Sequence, residues 1–145
     1  MKIVPSLALM ASFVSISGCS TAPENQFLDV PMVATHYNTG RLASAILAPK
    51  GNETSIWIYV RGVPNNTAIP AHLYTHLYSG TCGNLSESPA YSMNNTVYED
   101  LLEPTIKLSK IAPLPLDSLR TGRYALVVRA SPADGNNDLF CGNIL

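Results

Sequence analysis

The chain has 145 residues, 46% of them hydrophobic, and carries Lys+Arg 9 against Asp+Glu 10. That length fits one ordinary domain, and so even a charge balance argues against a surface built to neutralise a nucleic-acid backbone. Three histidines and three cysteines restrict metal and thiol chemistry to a few positions.

The first element is an address. Lys2 supplies a short positive region, and residues 3–14 are mostly apolar but broken by a proline and two serines. The stretch is too short and interrupted to span a bilayer, and it fits the hydrophobic part of a signal peptide. It runs into Ile16-Ser17-Gly18-Cys19, which resembles the bacterial lipobox. The resemblance implies removal of residues 1–18 and lipidation of Cys19, with acyl chains holding the protein at a membrane. Ser20, rather than aspartate, follows the cysteine. In a Gram-negative envelope that resembles an outer-membrane sorting signal, facing either the periplasm or the cell surface. The mature chain would have 127 residues and a net charge of −2, since only Lys2 is lost.

With Cys19 assigned to lipid, Cys82 and Cys141 remain as an even pair in an oxidising compartment. A disulfide between them is the expectation, closing a loop of about 60 residues worth about 4 kcal/mol in the chain-entropy model. No Cys-x-x-Cys spacing supports a redox pair instead.

Residues 19–39, the lipidated cysteine and a polar stretch with two prolines and no hydrophobic period, read as a tether, and residues 40–145 as the folded domain. Leu42–Ala48 is a short apolar run, and Lys50-Gly51-Asn52-Glu53 is a turn signal. Thr54–Val60 alternates, with Ile56, Ile58 and Val60 on one face and Ser55, Trp57, Tyr59 and Arg61 on the other, so the two runs read as a hairpin. His72–Tyr78 alternates again: Leu73, Thr75 and Leu77 face one way, His72, Tyr74, His76 and Tyr78 the other. Residues 79–104 read mainly as a long loop with one helical turn at Glu99–Leu102. Thr105–Ile111, Arg123–Ala130 and Leu139–Leu145 read as strands, the last two separated by a Pro/Gly/Asn loop. No segment beyond residue 20 sustains a helical apolar stripe. Many short strands with frequent turn signals predict an all-β antiparallel sandwich or barrel.

Three patches then fall in order: Gly62-Val63-Pro64 with His76-Leu77-Tyr78-Ser79-Gly80-Thr81-Cys82-Gly83; Tyr124 to Gly135, containing Val127-Val128-Arg129; and Leu139-Phe140-Cys141-Gly142-Asn143-Ile144. Together they resemble the copper/zinc superoxide dismutase fold and the related CHRD-type domains. The resemblance covers roughly residues 40–145. It implies an eight-stranded Greek-key β-barrel whose disulfide ties the loop after the His-x-His strand to the last strand.

The family's chemistry does not carry over. Its second His-x-His ligand falls at Tyr78 and its late Val-Val-His ligand at Arg129, a permanent cation that cannot ligate a metal. No histidine lies between Gly83 and Leu119, where the zinc loop belongs. The substrate-guiding arginine falls at Asp138, which reverses the charge. The expectation is therefore no enzyme and no cofactor. The weak metal candidates are His72 and His76, for a copper- or zinc-binding envelope protein. These two lie about 13 Å apart along an extended strand, too far for one ion.

The set Tyr74, His76, Tyr78 and Arg129 is the candidate patch for a ligand or protein partner, since tyrosine and arginine are favoured at interfaces. The competing reading has Arg129 filling the emptied metal site with local hydrogen bonds. Trp57, Tyr59 and Arg61 form a second exposed set, for which cross-strand pairing is the plainer explanation. The function expected from these residues is binding at the cell envelope. An inhibitor or immunity-type protein is a further alternative.

Overall fold

The computed structural model describes Gly18 and residues 26–94, 99–102 and 104–145, with residues 99–102 described by their backbone. Cys19, Ile16 and Ser17 of the lipobox and residues 1–15 of the signal segment lie outside the described residues. Among the described residues, no helix is long and apolar enough to cross a membrane.

Among the described residues ten strands carry the fold: β1 (Leu28–Ala34), β2 (Leu42–Lys50), β3 (Glu53–Arg61), β4 (Leu73–Thr81), β5 (Asn84–Leu85), β6 (Tyr91–Ser92), β7 (Glu99–Leu102), β8 (Thr105–Ala112), β9 (Tyr124–Ala130) and β10 (Asp138–Ile144). All pairings are antiparallel. The hydrogen-bonded path runs β5-β4-β9-β10-β1-β2-β3-β8-β7, with β6 also on β4. The connections from β3 to β4 and from β8 to β9 cross between separated strands, as in a Greek key. The result is an all-β sheet curled into a half-barrel that encloses one main core.

The period-two pattern builds that core. Ile56, Ile58 and Val60 of β3 are fully buried, as are Leu73 and Leu77 of β4, Leu108 of β8, Leu126 and Val128 of β9, and Phe140 of β10. Gly51 at φ +60° makes the tight β2–β3 turn, a conformation costly for other residues. The paired cysteines expected from the count do bond: Cys82, just after β4, joins Cys141 in β10.

Three sequence expectations are corrected. The stretch assigned to the tether contains β1, in which Val30 and Met32 are buried in the core. Pro31 breaks the visible period without breaking the strand, because it sits exposed at a position paired with Ser44. β1 is also the corner of the fold. Leu28–Met32 pairs with β2, whereas Val33 and Ala34 pair with β10. Gly142 permits this crossing, since a Cβ there would stand 2.7 Å from Met32 Sδ, from the Pro31 carbonyl and from Val30 Cγ1. Second, Glu99–Leu102 is strand β7 rather than a helical turn, because its backbone pairs with β8 from Glu99↔Leu108 to Leu102↔Thr105. Third, the loop from residue 79 contains β5 and β6, whose two-residue lengths leave no period to detect. A short helix, α1 (Leu116–Thr121), was also not anticipated. Pro115 precedes it, and Leu116 and Leu119 plug it into the core.

Candidate functional site

The outer face of the β4–β9–β10 sheet gathers the predicted patch. In β4, inward Leu73, Thr75 and Leu77 force Tyr74, His76 and Tyr78 outward. The register sets Tyr74 opposite Arg129, His76 opposite Val127 and Tyr78 opposite Ala125. Arg129 and Tyr78 thus start four residues apart along the sheet, about 13 Å. Both side chains run along the strand direction to meet, the Arg129 Nη2 donating to the Tyr78 hydroxyl at 2.7 Å.

The other side of Arg129 is held by β10. Asp138 is its register partner, and Arg129 Nε donates to Asp138 Oδ1 at 2.6 Å. A bulge between Asp138 and Phe140 interrupts the alternation there, with Leu139 and Phe140 both buried. Burial works against the Arg129 charge, but the hydrogen bond and charge of Asp138, aided by Tyr78, outweigh it and hold the guanidinium above its ordinary pKa. Thr35 Oγ1 donates to the Asp138 carbonyl, which ties the β1 exit to the same spot.

His76 lies half-buried beside the trio. Its Nδ1 is hydrogen-bonded to Ser92 Oγ at 2.9 Å, and its ring meets Tyr78 edge-on at 6.2 Å. Burial lowers its pKa, the charges of Arg129 and Lys110 lower it further, and Asp138 only partly offsets them. These surroundings disfavour the charged imidazolium at His76. Beneath one end of the patch a small second core seals the sheet, made of Tyr78, Ala125, Val127 and Cys141 with Cys82 and Leu85 against them. Cys82 N–H donates to Asn143 Oδ1 at 2.8 Å, fixing the disulfide end.

Beside Arg129 and Asp138 opens a depression of about 330 Å³, lined also by Thr35, His36, Tyr37, Asn136 and Asn137. His36 and Tyr37 stack with ring centroids 3.9 Å apart in a 3₁₀ turn after β1. Sequence reading placed both in a solvated tether, and it treated Asp138 only as a lost steering charge. The register Asp138↔Arg129 is the signal that joins acid to base, and it depends on a bulge that alternation hides.

The copper set that the dismutase resemblance implies does not fit these residues. Of the matched positions only His76 carries an imidazole, and the two substituted positions, Tyr78 and Arg129, bond each other. A fixed guanidinium at a ligand position repels a metal cation. Nor does the structure bring His72 and His76 to a shared site. His72 precedes β4 and its charge bears on Asp134, whereas His76 is engaged by Ser92. Among the described residues, no group of three or more His, Cys, Asp or Glu side chains is disposed to hold an ion.

No protein-family model, curated protein or solved structure matches the chain.

Proposed function

We propose that this chain is a non-catalytic lipoprotein of the cell envelope, anchored through Cys19, whose dismutase-like β-domain binds a protein or ligand. The contact surface is the outer face of β4–β9–β10, centred on Arg129 and extending over the His36–Tyr37 depression. The observation that carries the reading is the Tyr78–Arg129–Asp138 trio. Tyr78 and Arg129 occupy positions that match metal ligands in the resembling family, Asp138 the position of its substrate-guiding arginine, and the trio leaves part of a charged guanidinium facing a polar depression. Arg129 uses two of its five N–H donors within the trio, so donors remain for a partner. Held on both sides, the guanidinium has little rotamer freedom left to lose on binding.

The test is capture from an envelope extract with the full chain as bait. A partner retained by the wild type and lost with Arg129→Ala and with Tyr78→Ala is the expected result. Superoxide turnover by the copper- and zinc-loaded chain would overturn the non-catalytic reading.

A further inference from the structure

The opposite outer face of the molecule is built differently. The half of the sheet formed by the start of β1 with β2, β3, β8 and β7 turns Ile56, Ile58 and Val60 inward, so Trp57, Tyr59 and Arg61 face out from its central strand. Trp57 and Tyr59 are half-exposed and two residues apart, about 7 Å along the strand. Each has a serine as register partner on a neighbouring strand, Ser109 for Trp57 and Ser44 for Tyr59. At the Tyr59 end lies an open depression of about 530 Å³, lined by Leu42, Ser44, Tyr59, Arg61, Pro104 and Thr105 with Ala43. Among the described residues its lining holds one cation, one phenol and two aliphatic hydroxyls, and no acid. Lys107 Nζ approaches the Tyr59 ring at 6.0 Å and stands opposite Asp100 in the strand register. The Arg61 backbone pairs with Leu42, and its side chain has no hydrogen-bond or ion-pair partner among the described residues.

We infer that this face binds a saccharide bearing a carboxylate. Aromatic ring faces pack against the C–H faces of a sugar, and hydroxyls beside each ring suit the sugar's alternating polar edge. The Arg61 guanidinium at the end of the aromatic row, without a side-chain partner among the described residues, supplies two parallel N–H donors that match a carboxylate. A protein hot spot would instead need a fully desolvated apolar pocket, whereas these rings lie on an open sheet flanked by short polar side chains.

Trp57 is the only tryptophan of the chain, so its emission reports on this face alone. The full chain in detergent micelles is titrated with a glucuronic-acid disaccharide and, in parallel, with the neutral glucose disaccharide of the same linkage. A saturable change in Trp57 emission is expected with the acidic sugar. The neutral sugar should bind about tenfold or more weakly, about 1.4 kcal/mol. Arg61→Gln should erase the preference for the acidic sugar, and Tyr59→Ala should weaken both; both variants change exposed or half-exposed side chains, and circular dichroism checks that they fold. Non-saturating responses to both sugars, equal affinity for the two, or wild-type titrations of both variants would each overturn the proposal. So would an emission that shifts on dilution, because that would show the face covered by a second copy.

Discussion

The two outer faces of the curled sheet share one strand geometry and differ in what secures their side chains. On β4–β9–β10 the outward residues are locked: a disulfide and Tyr78 form a second small core, and Arg129 is bonded to both Tyr78 and Asp138. On β2–β3–β8 the outward residues are presented rather than locked, with Trp57 and Tyr59 beside serines and Arg61 opposite Leu42. Substitutions on the first face should therefore cost stability, and those on the second should cost binding while leaving stability nearly unchanged.

The largest effect belongs to what underlies both faces. Phe140→Ala, at a fully buried site between the two halves, should destabilise by about 4 kcal/mol in urea unfolding. Replacing Cys82 and Cys141 together by serine should cost about 4 kcal/mol, in keeping with the loop they close. A loss below about 1 kcal/mol would show that the second core holds the locked face without the covalent link.

Arg129→Ala should cost about 2 kcal/mol, because it leaves the Asp138 carboxylate half-buried without its cation and the Tyr78 hydroxyl without its donor. Tyr78→Phe removes one charge-assisted bond and should cost about 1 kcal/mol. If both variants were as stable as the wild type, the locked face would be no more secured than the open one. By contrast, Arg61→Gln should change stability by less than about 0.5 kcal/mol in the same assay.

The smallest expected effect is a pH dependence from His76. Its folded pKa lies below the unfolded 6.5, through burial and the nearby Arg129. As pH falls through 6.5 the unfolded chain takes up the proton first, so the stability of the folded state declines in that window and is unaffected above it. Comparing unfolding of the wild type and His76→Gln between pH 7.5 and about pH 5 isolates this contribution. The variant should show a shallower decline, and an identical slope would remove His76 from the account.

The faces themselves were legible in the sequence. Strict alternation in 54–60 and 72–78 assigned Ile56, Ile58, Leu73 and Leu77 inward and the Trp57 and Tyr74–His76–Tyr78 sets outward, as observed. The cysteine count supplied the Cys82–Cys141 bond. What stayed hidden lay where local pattern carries no period. β1 is a seven-residue strand with a proline at its centre, and its register switches from β2 to β10 midway. The Arg129–Asp138 pair spans a bulge, so two consecutive buried residues, Leu139 and Phe140, follow the acid and mask its outward position. The His36–Tyr37 wall of the depression depends on β1 being a strand, and it was lost with it.

The most direct test of the proposed binding face is site-specific photocross-linking in cells, with the probe placed at Tyr37 beside Arg129 or at Ile111 on the opposite outer face. Both positions are exposed. A discrete protein adduct from position 37, absent from position 111 and lost when Arg129→Ala is added to a chain that still folds, is the predicted result. No adduct at 37, or the same adduct from both positions, would contradict it.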